Sequence, residues 1–254
     1  MKQGVGIILF FYLLMFLPQS CFSQDSQFYA SSRFAEANSF YKKGKYKEAI
    51  QLYEEVLSKD LTSQTLYYNL GNSYFKVGKL GKAILNYERA RQLAPRDNDL
   101  NANYDYALSL IKGHKIVPQQ NIVMKIIGKY ENLMTINEFT LIVYLLSVLL
   151  GSIFLSGLYR RWSYPHITLL IAILGIALTF HGLLLYKKIQ KQSRLAVVIT
   201  STESRFEPID NTTIHFELPE GEMVEILNEE SGWFKLRRPD GKIGWSRKET
   251  IEKL

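Results

Sequence analysis

The side chains best suited to move protons, hold a metal ion or attack a substrate are four histidines, His114, His166, His181 and His215, and one cysteine, Cys21. Their spacing serves none of these chemistries. The histidines fall in four separate segments, and a single cysteine supports neither an internal disulfide nor a thiolate zinc site. No phosphate-binding glycine loop and no pairing of nucleophile with base is legible. The chain therefore reads as a non-enzyme with no metal site, no cofactor and no catalytic residue. Two tryptophans offer another chemistry. Trp233 follows Gly232 at the start of an apolar run, and Trp245 closes a run that follows Pro239-Asp240-Gly241. As an exposed pair they would line a groove for proline-rich peptide or glycan, and as a buried pair they would be core.

The elements that must position such residues follow from hydrophobic periodicity. Met1 to Gln24 combines Lys2, an apolar stretch from Val5 to Leu17 and a small or polar end at Cys21-Phe22-Ser23. It reads as a secretory signal (1–24), with a retained anchor or lipidation at Cys21 as alternatives. Two apolar runs, Phe139 to Tyr159 and Ile167 to Tyr186, are joined by a basic connector (160–166) with Arg160 and Arg161. Each is close to the roughly 20 residues that cross a hydrocarbon core, which predicts a transmembrane hairpin. Within the second run, His181 would be either a functional group or a neutral imidazole bonded across the hairpin. A secretory signal followed by two spans places both flanking segments on the extracytoplasmic side of a bacterial inner membrane, although basic residues on both sides of the hairpin oppose a simple charge rule.

Between Ala30 and Asp97 the chain repeats with a fixed period. Phe40 recurs as Tyr74, Gly44 as Gly78, Ala49 as Ala83 and Tyr53 as Tyr87. A period of roughly this size means stacked helix pairs. In the second copy Leu70-Gly71, Tyr74, Gly78, Ala83, Tyr87, Ala90 and Pro95 resemble the tetratricopeptide repeat in register, which implies repeats at 30–63 and 64–97 within a domain at 30–113. Helix 98–112, with Leu100, Tyr104, Ala107, Leu108 and Ile111 at helical spacing, is expected to cap them. A linker at 114–138 with an amphipathic helix follows. The resemblance also implies a partner-binding groove on the first helix of each pair. Its matching positions are Phe34, Asn38, Tyr41 and Lys42, then Tyr68, Asn69, Asn72, Phe75 and Lys76. Amides bond a peptide backbone in either sense, lysines favour anions and aromatics add apolar area. The carboxylate-clamp variety of the family uses an asparagine where Asn69 stands, but Asp99 occupies the place of its further basic residue.

After Arg194 the texture becomes β. LAVVIT, TTIHFEL, EMVEILNE, GWFKLRR and KIGWS are β-branched or aromatic runs separated by Gly, Pro and Asp. Five short strands in 195–254 suggest a small all-β barrel, and the GWFKLRRPDGKIGW stretch resembles bacterial SH3-like domains. The expected fold class is thus a multidomain membrane protein: tetratricopeptide superhelix, transmembrane helical hairpin and SH3-like barrel. That order of parts resembles BatE-type proteins of aerotolerance operons. The resemblance implies a scaffold in the cell envelope, with von Willebrand A-type Bat proteins and a MoxR-type ATPase as partners, alongside membrane lipid. An alternative is a wall sensor whose SH3-like domain holds peptidoglycan. The formal charge of +7 arises from 31 Lys and Arg against 24 Asp and Glu and is spread along the chain rather than concentrated on one basic element, which argues against nucleic acid.

Overall fold

The computed structural model describes residues 24–111, 135–159 and 193–254, with single positions between 169 and 190. All but the last residue of the expected signal (1–24), the amphipathic linker helix, the connector and most of the second apolar run lie outside the described residues, as do Cys21, His114, His166 and His181.

Five helices come first: α1 (Gln24–Lys42), α2 (Tyr46–Leu57), α3 (Gln64–Lys76), α4 (Leu80–Leu93) and α5 (Asn98–Ser109). Small side chains and tyrosines determine how they pair. Ala49, Tyr53, Ala83 and Ala90 are fully buried and Tyr87 is nearly so, placing each second helix of a pair close against the first. Gly71 shows how close the approach is, because a Cβ built there would stand 2.7 Å from the Tyr87 ring. Both intra-pair turns use a glycine in the left-handed region, Gly44 at φ 74° and Gly78 at φ 77°, where any Cβ is strained. Starts repeat as well. The Ser63 hydroxyl accepts from the Leu66 N–H at 3.1 Å and caps α3, while the Asp97 carboxylate accepts from the Leu100 N–H at 3.0 Å and caps α5.

The C-terminal region is one antiparallel sheet of seven strands: β1 (Leu195–Val198), β2 (Thr202–Arg205), β3 (Ile214–Leu218), β4 (Met223–Glu230), β5 (Trp233–Arg237), β6 (Ile243–Arg247) and β7 (Ile251–Lys253). Their order is β3-β2-β6-β5-β4-β1-β7. The expected five-stranded barrel is therefore corrected to a seven-stranded sheet in which β3 and β7 are the end strands. The two strands missed are TESR, which is polar, and IEK, which is three residues long; neither shows the apolar alternation that marks a half-buried strand.

The sheet packs directly on the helices. β1 is apolar throughout because both its faces are covered: Ala196 and Val198 belong to the core of the sheet, with Phe216, Phe234 and Leu236, whereas Val197 belongs to the core of the helices. A Cβ built on Gly81, in the first turn of α4, would stand 2.4 Å from the Val198 carbonyl oxygen and 2.8 Å from the Ile199 Cα. Glu220 accepts from the Gly81 N–H at 2.8 Å, and Arg89 donates to Glu252 at 3.2 Å and to the Lys253 carbonyl at 2.7 Å.

The first apolar run lies in helix α6 (Ile136–Tyr159). Its start is a reciprocal cap: Glu138 accepts from the Thr135 N–H at 3.0 Å and Thr135 accepts from the Glu138 N–H at 3.1 Å. Arg96, just after α4, pairs with Glu138 at 2.9 Å. Among the described residues no helix is long and apolar enough to cross a membrane, so the two-span hairpin and the membrane-protein fold class are corrected to a helical repeat region followed by an antiparallel sheet. The misreading has a physical source. An apolar run looks the same in sequence whatever covers the helix, and length with composition alone does not say how the chain arranges it.

Candidate partner-binding face

α1, α3 and α5 lie side by side, and their neighbouring surfaces are tied by a repeating set of amides. Asn69 on α3 donates to Asn38 on α1 at 2.9 Å, and Asn103 on α5 donates to Asn72 on α3 at 3.1 Å. Tyrosines of the second helices complete each node: Tyr53 donates to Asn38 at 2.6 Å and Tyr87 to Asn72 at 2.7 Å. Each of these two asparagine oxygens thus accepts twice from within the fold. A ligand meets mainly the remaining amide hydrogens of Asn38 and Asn72, so these residues brace the helices as well as facing the groove.

The other predicted residues divide by exposure. Lys42 and Lys76 are exposed, one in the last turn of α1 and the other in the last turn of α3. Phe34, Tyr41, Tyr68 and Phe75 are half-buried, and their rings continue the helix-pair contacts: Phe34 with Tyr53 at 5.8 Å, Tyr68 with Tyr87 at 6.2 Å, and Tyr41 with Tyr46 at 5.3 Å between centroids. Phe75 reaches across to Tyr106 of α5 at 5.8 Å, and Tyr106 is 59% exposed. The face therefore has three rows instead of two. Asn103 and Tyr106 were missed although the signal existed, since Asn103 stands one repeat length after Asn69.

The sheet residues behave differently. Trp233 and Trp245 are 4% and 8% exposed, with Arg247 stacked over Trp233 at 4.4 Å and Lys235 over Trp245 at 5.7 Å. Little ring surface is left for a ligand. His215 stacks on Phe206 at 4.1 Å, with its Nδ1 3.1 Å from the Ile243 carbonyl oxygen. Among the described residues no group of His, Cys, Asp or Glu is placed to hold a metal ion.

Burial raises the phenols that support the face. Desolvation pushes Tyr53 up to about 12, with Asn69 opposing it, and also raises Tyr74, which Glu54 raises further, Tyr87 and Tyr104. The folded values lie above the roughly 10 of an unfolded chain, so the stabilisation is complete below pH ~10 and is lost as pH rises through the folded values. Alkaline titration followed by circular dichroism is therefore expected to hold full helicity up to about pH 10 and to lose it cooperatively above that, together with tyrosinate absorbance. Ionisation of all tyrosines with helicity retained would contradict the burial described.

Comparison with known proteins places this geometry. The TPR repeat pattern matches residues 37–78, and the tetratricopeptide repeat pattern matches residues 65–97. Tetratricopeptide repeats are therefore present, and such repeats indicate a protein–protein interaction scaffold, typically without enzymatic activity. Among solved structures, one similar chain is that of the "Crystal Structure of the Yeast Tom70", at 22% identity and a TM-score of 0.28, covering 42% of this chain and 24% of that chain. The chain thus spans about a quarter of that protein's length. No curated protein matches.

Proposed function

We propose, with the tetratricopeptide repeats at residues 37–97 as the premise, that the face formed by α1, α3 and α5 holds an extended, anionic segment of a partner protein. The observation that carries this reading is periodic chemistry at the surface. Each repeat presents a lysine (Lys42, Lys76), an amide (Asn38, Asn72) and aromatic area (Phe34 and Tyr41, then Tyr68 and Phe75), spaced so that successive stretches of one extended chain meet the same set. The third row adds Asn103 and Tyr106. A non-enzymatic scaffold follows, since nothing in this set activates a nucleophile or transfers a proton.

The order of helical repeats before a β-rich C-terminal region supports a Bat-type envelope complex linked to aerotolerance or stress, and the Met1–Gln24 stretch supports an extracytoplasmic location. The wall-sensor alternative would need contacts other than Trp233 and Trp245, whose rings are buried.

A photo-crosslinking residue at Lys76 is expected to capture a partner in the source cells, and the same residue at Arg89, on the opposite helix layer, is not. Introducing Lys42→Glu together with a crosslinker at Phe75 should cut that capture about tenfold or more, because one lost charged contact is worth about 1.5–3 kcal/mol and its reversal adds repulsion. Lys42 is exposed, so adding its reversal should leave the thermal transition within about 2 °C of the chain that carries the crosslinker alone. Capture from Phe75 that survives the reversal would overturn the groove. Asn72→Ala is the less informative variant, because it also removes the acceptor of Tyr87 and Asn103.

A further inference from the structure

The intra-pair turns of the two repeats carry the same cations. Lys42-Lys43-Gly44-Lys45 recurs as Lys76-Val77-Gly78-Lys79, and Lys47 follows the first set. In the sequence these are two short groups among many charges, but the fold gathers them. α1 and α3 lie side by side, bonded through Asn38 and Asn69, and each leads through its turn into the second helix of its pair, so both turns fall at one edge of the stacked repeats. The opposite edge is mixed in sign. Its turns hold Lys59 beside Asp60 and Arg96 beside Asp97, with Arg96 paired to Glu138.

Helix energetics do not account for these lysines. Lys42 and Lys76, in last turns, suit the helix dipole, but Lys45 and Lys79 are the N-caps of α2 and α4 and Lys47 is in the first turn of α2, where a cation opposes it. Neither N-cap side chain makes a capping hydrogen bond. Lys42, Lys43, Lys45, Lys47, Lys76 and Lys79 are all exposed, and among the described residues none of them is in an ion pair. Lys45 and Lys79 stand 5.9 Å and 6.0 Å from the centroids of the Phe40 and Tyr74 rings, at the outer limit of a cation–π attraction. The carboxylates at these helix starts are Glu48 in α2 and Glu220, which accepts from the Gly81 N–H of α4. They are fewer than the cations, so the edge keeps an excess of positive charge whose self-repulsion an anionic partner would relieve.

The chemistry of the edge selects among anions. No large apolar side chain is exposed at either turn, so nothing there would enter a lipid surface. No arginine stands in the turns to fork a phosphate, and Tyr41 and Tyr46 meet edge to face at 5.3 Å instead of offering open rings to bases. Flexible point charges suit the carboxylates of an acidic stretch of protein. The edge also flanks the face of α1, α3 and α5, with Lys42 and Lys76 common to both. We infer that this edge holds a run of aspartates and glutamates of the partner protein, beside the segment that crosses the face. The inference rests on the protein-binding reading above and adds the composition of the partner and the side on which its acidic run lies.

The test is fluorescence anisotropy of a labelled deca-glutamate peptide titrated with the full chain, with deca-glutamine as the uncharged control. Deca-glutamate is expected to bind, and to bind at least about tenfold more weakly as salt rises from about 0.05 M to about 0.5 M, while deca-glutamine does not bind. Lys43→Gln with Lys45→Gln and Lys79→Gln should weaken binding about tenfold, the combined loss of three exposed charge contacts, and should melt within about 2 °C of the parent. Arginine at the same three positions should restore it. Lys59→Gln with Lys235→Gln and Lys242→Gln, which removes equal charge elsewhere, should leave affinity within about twofold. Equal losses in the two triple variants would overturn the assignment. So would phosphatidylglycerol vesicles or single-stranded DNA held more tightly than deca-glutamate through the same lysines. None of the three edge lysines belongs to the groove, and deca-glutamate offers the groove no apolar side chain, so capture from Phe75 without deca-glutamate binding would sink the edge alone.

Discussion

Gly81→Ala is expected to destabilise the chain, although on an isolated helix the same change would stabilise it. Glycine costs about 0.5–1 kcal/mol against alanine in a helix, so the local effect favours alanine. Here the new methyl meets main chain. It would stand 2.4 Å from the Val198 carbonyl oxygen and 2.8 Å from the Ile199 Cα, and backbone cannot swing aside as a flexible side chain does. The sheet must retreat from α4, which weakens the bond from the Gly81 N–H to Glu220 and uncovers part of Val197. Overpacking costs about 1–3 kcal/mol, and the lost hydrogen bond and exposed apolar surface add about 1 kcal/mol or more.

The sign of the effect therefore decides whether helices and sheet form one cooperative unit. In a chain carrying Trp162→Phe as the reference, urea transitions followed by tryptophan fluorescence, which then reports on the sheet through Trp233 and Trp245, and by far-ultraviolet circular dichroism, which reports on the helices, should coincide. In Gly81→Ala they should separate, with the sheet's transition at lower urea. A variant more stable than its parent, with coincident transitions, would show that the sheet does not rest on α4.

Tyr87→Ala is expected to remove about 3–5 kcal/mol, a large share of the roughly 5–15 kcal/mol that holds a typical domain folded. Its ring fills the space beside Gly71, and its hydroxyl holds the Asn72 oxygen at 2.7 Å. Alanine leaves a cavity that the glycine opposite cannot fill, and the amide ladder between α3 and α5 loses one of its two donors. Tyr87→Phe separates these contributions. It keeps the ring and should cost only about 1 kcal/mol, because Asn103 still donates to Asn72. Urea midpoints by circular dichroism would measure both, and a Tyr87→Ala loss no larger than that of Tyr87→Phe would refute the packing role of the ring.

The partner face owes its reach to these same contacts. Asn38 and Asn72 look from the sequence like free recognition groups, but each oxygen is already bonded twice inside the fold. The exposed lysines and half-buried rings are the freer part of the surface. Docking of the sheet on α4 leaves the opposite α1, α3 and α5 layer for a partner, so Gly81→Ala should propagate to binding only through stability, whereas Tyr87→Ala also releases Asn72 and Tyr68 of the face.

The periodic part of the molecule was determined by the sequence alone, since a repeat with a fixed spacing makes helix starts, turns and close-packing residues recur as local events: Ser63 and Asp97 as caps, Gly44 and Gly78 as turns, Tyr53 and Tyr87 as fillers. The strands with apolar alternation were legible for the same reason, whereas TESR was not because it is polar, and IEK was not because it is short and pairs with β1, distant in the chain. Tertiary structure alone decided that the sheet rests on α4, that Trp233 and Trp245 are covered, and that no described helix is long and apolar enough to cross a membrane. The first of these depends on which surfaces meet across more than a hundred residues of chain, as Gly81 and Glu220 do. Composition and spacing carry a residue's own preference for burial or turn, but the partner that satisfies it is selected only when the whole chain packs.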